Sequence, residues 1–319
     1  MKKSVFMAVF ACMALSVFAA SKKSKETVIR VGIPKAPPAL PIIRMIETNA
    51  LGDDAKVEFS VWNSPEQLIA MIQGKEQDMF AFPLTVVGKL YNKGMPLMLT
   101  NVNTWGVTYF LTSDPDYKDW ADLKGKTVYV PLRSSPPDAL TQFFIGKAGL
   151  VVGKDVELIY ASIPEVTQLV VSGKAIYATQ IEPQVTACLM QNKSVRVATS
   201  FENEWKKVTD DGSIIPNAGF GGRKSFIKKN AEVVAKFEAE YEKALNWVLE
   251  NPEEAGILAE KYLGLKAGLI KNAIPRMGLY YKNAYDAKKD LDQLYRILND
   301  FDKTMVGGKI PNEGMLYKK

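Results

Sequence analysis

The chain of 319 residues contains no histidine. That absence removes Ser-His-Asp and Cys-His nucleophilic catalysis, histidine acid–base chemistry and the ordinary zinc sites. Cysteine is almost as scarce, with Cys12 and Cys188 only. If the N-terminal segment is removed, one thiol remains and no internal disulfide can form. A lone thiol of this kind is expected inside a helix in the core. No cluster of lysine and arginine interleaved with aromatics points to nucleic acid. After Lys2 and Lys3 the balance is 39 basic to 35 acidic residues, mildly basic and dispersed. No carboxylate pair stands out as an acid–base couple.

One apolar run does occur, Val5 to Phe18, preceded by Lys2-Lys3 and ending at Ala19-Ala20. A basic start, a short apolar stretch and small residues read as a secretory signal over residues 1–20, with cleavage after Ala19 or Ala20. The run is short for a membrane span. A second reading takes Val9-Phe10-Ala11-Cys12 as a loose lipoprotein box with Cys12 lipidated; Phe10 is bulky for that box. Either way an exported, periplasmic protein is expected.

The remaining length suggests two lobes rather than one core, and an internal repeat supports this. Val31 to Leu40 and Val130 to Leu140 both read as strand, Pro-Pro turn and helix. Val57 to Trp62 alternates as a strand, then Ser64-Pro65-Glu66-Gln67 opens a helix that ends at Gly74-Lys75. Val156 to Tyr160, Ser162-Ile163-Pro164-Glu165 and Gly173-Lys174 repeat that pattern. Each copy closes with a short strand and a proline turn, at Phe82-Pro83 and Glu182-Pro183. The fold class is therefore α/β with two similar lobes. The expected boundaries are 27–112 for the first part of lobe one, 113–216 for lobe two, and 217–319 for the return to lobe one with C-terminal helices.

Between the copies, Trp105 to Thr112 is a β-prone stretch that reads as a central strand or a crossover. Gly219-Phe220-Gly221-Gly222 reads as either a close backbone approach or a flexible turn. Beyond Lys224 the pattern is helical. Val233, Val234, Phe237, Tyr241, Leu245, Val248 and Leu249 form a core stripe, and Leu291, Leu294, Leu298 and Phe301 form another.

Ligands in open α/β sheets sit beyond the carboxyl ends of the strands. Two facing lobes would therefore enclose a ligand between Lys35–Leu40, Ala81–Thr85, Arg133–Asp138 and Gln180–Glu182. Ser135 reads as the cap of a helix that begins with Pro136. The hydroxyl pair Ser134-Ser135 before that helix could receive a polar or anionic group.

Several motifs resemble the nitrate/sulfonate/taurine class of substrate-binding proteins of ABC importers. Trp120-Ala121-Asp122-Leu123-Lys124-Gly125-Lys126-Thr127-Val128 looks like that family's strand entry. Ser134-Ser135, with the helix running to Lys147-Ala148-Gly149-Leu150, looks like its ligand loop. Val156 to Tyr160, Pro164-Glu165 and Glu182-Pro183 match its second lobe. The resemblance spans Val28 to Leu263. It implies a type II periplasmic binding fold with two crossover strands, capture of a small solute, delivery to an ABC permease in the membrane, a monomer, no cofactor and no enzyme activity. A sensor for a membrane receptor and an enzyme on the same scaffold are the alternatives. Fungal pyrimidine synthases of similar fold use histidine, which this chain lacks.

The chain departs from the sulfonate binders in its proline-rich, apolar first-lobe loops, Lys35 to Ala39 and Phe82 to Thr85. That favours an organic solute with a flat or apolar body. The expected ligand residues are Pro38, Trp62, Phe82, Trp105 and Phe220 as walls, Thr85, Ser134 and Ser135 as hydrogen-bonding groups, and Asp138, Glu182 or Arg133 for charge.

Overall fold

Val31 lies beside Phe59 on one side and Met79 on the other, and Val128 lies between Leu158 and Tyr177 in the same way. These two parallel triplets come from the two repeats. The structure, a computed structural model, describes residues 27–209 and 211–318; the expected signal segment and Cys12 lie outside them.

The first repeat is β1 (Thr27–Ile33), α1 (Ala39–Glu47), β2 (Ala55–Val61), α2 (Pro65–Gly74) and β3 (Met79–Pro83). Then come α3 (Leu84–Asn92), β4 (Leu97–Leu99), β5 (Asn101–Trp105) and β6 (Thr108–Thr112). The second repeat is β7 (Lys126–Pro131), α4 (Pro136–Lys147), β8 (Val156–Ala161), α5 (Ile163–Val171) and β9 (Tyr177–Ile181). It continues through α6 (Gln184–Gln191), β10 (Arg196–Ser200) and α7 (Phe201–Val208) to β11 (Pro216–Arg223). The C-terminal part is α8 (Lys224–Lys229), α9 (Ala231–Glu250), α10 (Pro252–Leu263), α11 (Ala267–Ala273), β12 (Leu279–Asn283) and α12 (Lys288–Phe301).

Two sheets result. The first runs β12-β5-β11-β3-β1-β2, with β4 also on β11; the second runs β10-β6-β9-β7-β8. In each, a parallel triplet is extended by an antiparallel strand from the other crossover, β11 against β3 and β6 against β9. Because β6 pairs with β9 and β10, the chain changes lobe at Gly106, not after Thr112 as the expected boundary had it. The fold is a two-lobed α/β architecture joined by two crossovers.

Local chemistry explains the helix starts. Ser64 accepts the Gln67 amide, and Ser162 with Glu165 forms a full capping box. Lys75 rather than Gly74 takes the left-handed position that ends α2. The glycines of β11 serve close approach. A Cβ on Gly219 would lie 2.0 Å from the Asn101 carbonyl oxygen, and one on Gly221 2.2 Å from that of Met98.

The α9 stripe packs on α1, burying Phe237, Tyr241 and Leu245 with Ile42 and Ile43 in lobe one. Here α12 goes further than expected. The Tyr295 hydroxyl donates to the Leu84 carbonyl (2.7 Å) in lobe one, while Phe301, 41% exposed, meets Phe143 of lobe two edge-on at 5.6 Å. Cys188 is fully buried in α6, and burial pushes its thiol up to about 12.

Candidate functional site

The carboxyl ends of the parallel strands of both lobes converge on one cleft. After β1 come Pro34, Ala36, Pro37 and Pro38; after β2, Trp62; at the end of β3, Phe82 and Pro83. Opposite them stand Leu132, Ser135, Pro136 and Pro137 after β7, Ile163 after β8 and Ile181 at the end of β9. Thr104, Val107, Asn217 and Ala218 close the crossover side. The space between them, counted out through its open mouth, is about 550 Å³. Among the described residues, no lysine, arginine, aspartate or glutamate lines it.

Of the expected residues, Pro38, Trp62, Phe82 and Ser135 meet in this cleft. Pro38 caps α1, and its carbonyl accepts the Tyr241 hydroxyl at 3.1 Å, which pins the turn to the core. Phe82 is fully buried and tilts against Phe80 at 5.5 Å. Ser135 is the N-cap of α4, yet its hydroxyl makes no cap bond. The next two residues are prolines without N–H groups, so the usual second-position donor is missing.

The others stand elsewhere. Phe220 is a core residue, edge-on to Phe237 (5.9 Å) and Tyr241 (5.0 Å), because its strand turns that face toward α9. Trp105 donates its indole N–H to the Tyr280 carbonyl (2.7 Å) and lines a separate groove with Tyr109, Arg276 and Gly278. Arg133 lies over the Tyr160 ring at 4.8 Å. Thr85 and Ser134 bond each other across the lobes, Thr85 Oγ1 to the Ser134 carbonyl at 3.1 Å.

The two expected acids act on the protein itself. Asp138, nearly buried in the first turn of α4, accepts the Ser134 amide (2.6 Å), Gln142 Nε2 (2.7 Å) and the Tyr160 hydroxyl (2.9 Å). Burial, with Asp138 alongside, pushes the Tyr160 phenol well up. Glu182, fully buried, accepts the Thr186 amide (3.1 Å), the Thr186 hydroxyl (3.0 Å) and Arg276 Nε (2.9 Å). Burial raises its carboxyl, against those bonds. Since Arg276 belongs to the C-terminal part, this pair also ties the two lobes.

The cleft contains residues that sequence reasoning missed. Leu132 (φ +54°) and Ser134 (φ +66°) bend the turn after β7 through the left-handed region, which swings Leu132 into the wall. Ile163 follows from the strand-end rule already applied to the neighbouring residues, whereas Ile181 lies within the expected Gln180–Glu182 stretch and was not missed. Thr104 and Asn217 carried no local signal. Asn217 Oδ1 accepts the Val107 amide (3.3 Å), its Nδ2 donates to Thr108 Oγ1 (3.3 Å), and the Gly106 amide bonds the Ile215 carbonyl (3.0 Å). The two crossovers are laced together beside the cleft.

Comparison with known proteins agrees with this architecture. The family model described as NMT1/THI5 like matches residues 53–255, well over half of the chain. The chain is 28% identical over 147 residues to the putative binding protein YtlA of Bacillus subtilis. That match covers 46% of this chain and 41% of YtlA, so the aligned part spans about two fifths of that relative. Among solved structures, an ABC transporter protein from Parabacteroides distasonis has a TM-score of 0.77 at 23% identity, covering 92% of this chain and all of that one. The periplasmic aliphatic sulphonate binding protein SsuA from Escherichia coli has a TM-score of 0.74 at 16% identity, covering 92% of this chain and 93% of that one. Both share the two-lobed fold.

Proposed function

This chain belongs to the NMT1/THI5-like family, and on that footing we propose that it is a solute-binding protein that holds a small organic molecule between its lobes. The observation that carries this is the convergence of six strand ends and both crossovers on one apolar cleft. We extend the reading to an exported, monomeric protein whose residues 1–20 direct export, and which hands its solute to an ABC permease. The lacing of the crossovers at Gly106 and Asn217 suits a hinge that closes on the solute. No cofactor, metal or catalytic step enters this account.

A thermal-shift screen of the purified protein tests it, with a panel of alkyl sulfonates, taurine, nitrate, pyrimidines, flavins and other heterocycles. A native-state ligand at a hundredfold excess over its Kd should add about 2.7 kcal/mol of stability, and should be recovered chemically unchanged. Silence across the panel, or a ligand consumed on incubation, would overturn the reading.

A further inference from the structure

Among the described residues, two side chains that line the cleft carry a buried polar atom with no hydrogen-bond partner, Trp62 Nε1 from lobe one and Ser135 Oγ from lobe two. Both side chains are more than nine-tenths buried, at 4% and 0% exposed. Buried polar groups in folded proteins are almost always paired, so each orphan calls for an explanation. Trp120 Nε1 and Tyr117 Oη are also unpaired, but they lie away from the cleft, in the interior of lobe two. The two side chains that line the cleft belong to opposite lobes.

Their chemistry is specific. An indole N–H only donates, so Trp62 requires an acceptor; a serine hydroxyl can donate or accept. The helix start that carries Ser135 is unsuited to an anion. Pro136 and Pro137 supply no N–H groups. The negative charge that a helix start attracts is already supplied by Asp138 in the first turn of α4, and by Glu182 on the Thr186 amide of α6. Among the described residues, no lysine or arginine lines the cleft to offset a second anion.

We propose that Trp62 and Ser135 are the solute-recognition pair, and that they select a neutral molecule. It would have an apolar body against Phe82 and the prolines, an acceptor facing Trp62 and a polar group facing Ser135. Sulfonates, nitrate and carboxylates would be refused. This inference rests on the solute-binding reading and adds ligand class and specificity to it.

The test is calorimetry on the purified protein with matched neutral and anionic probes: nicotinamide against nicotinate, uracil against orotate, and benzamide against benzoate and benzenesulfonate. At least one neutral probe should bind, with its anionic partner at least about tenfold weaker. Trp62→Phe keeps the ring but removes the N–H, and Ser135→Ala removes the hydroxyl. Each should weaken the neutral probe about three- to tenfold, the loss of one hydrogen bond, with far-UV circular dichroism unchanged. An anionic probe that binds as well as its neutral partner would overturn the inference while leaving solute binding intact. Unchanged affinity in both variants would do the same. No heat with any probe would overturn this inference; the solute-binding reading would then stand or fall on the wider screen.

Discussion

Thr85 of lobe one donates its hydroxyl to the carbonyl of Ser134 in lobe two at 3.1 Å, and the Ser134 amide in turn donates to Asp138 at 2.6 Å. Because its two partners belong to different lobes, this bond exists only while the lobes are together. Thr85→Val should leave the Ser134 carbonyl without its partner and cost the closed form about 1 kcal/mol. Small-angle scattering should then show a larger radius of gyration, and solute affinity should fall about fivefold. An unchanged radius and affinity would mean that this contact does not bias closure.

The Glu182–Arg276 pair gives a prediction with a sign. Burial raises the Glu182 carboxyl above its ordinary 4.5, so the folded chain holds that proton more tightly than the unfolded chain. The resulting stability is complete below about pH 4.5 and is lost as pH rises through the raised value. The melting temperature of the protein minus that of Glu182→Gln should therefore decline from about pH 4 toward pH 7. A difference that grows with pH would contradict the assignment.

Removing the other partner strands a buried charge. Arg276→Ala should destabilise by about 2–3 kcal/mol, less than a fully buried pair because Arg276 is partly open to solvent. Urea denaturation measures this; a change within about 0.5 kcal/mol would place Glu182 in a wetter setting than the structure shows.

The order of elements was legible because it is written in punctuation. Pro-Pro turns, serine caps followed by Pro-Glu and Gly-Lys stops recur in both copies, and each marks a backbone state that few residues adopt. Strand partnership is not written locally. Thr108 to Thr112 reads as a strand on either side of a boundary, and only pairing with β9 and β10 assigns it to lobe two. The strand-end rule found Pro38, Phe82 and Ser135, while Trp62 came from the expectation of aromatic walls. It could not say that Phe220 faces α9 or that Trp105 turns to Tyr280, because an aromatic residue carries no sign of which face it presents. Asp138 and Glu182 were expected to read ligand charge; their partners lie within the protein, and sequence does not show partners distant in the chain.

Gly106 sits at φ +54° between β5 and β6, and a Cβ there would meet Glu202 Cβ at 3.2 Å. Gly106→Ala should cost about 1–2 kcal/mol from the left-handed backbone alone. It should also slow solute release in stopped-flow measurements, since the hinge then turns against strain. Wild-type stability and release rate in this variant would remove Gly106 from the hinge.

Cys188 should not react with a thiol reagent in the native protein at pH 8, because it is fully buried and its thiol lies far above that pH. Unfolding in guanidinium should release it. Rapid native labelling would show that α6 opens readily.

The most direct measurement is a crystal structure of the protein soaked with the strongest solute from the thermal-shift screen. Density is expected between the lobes, with an acceptor within hydrogen-bonding distance of Trp62 Nε1 and a polar atom within reach of Ser135 Oγ. Density confined to the groove beside Trp105 and Arg276, with the main cleft unchanged, would contradict that expectation.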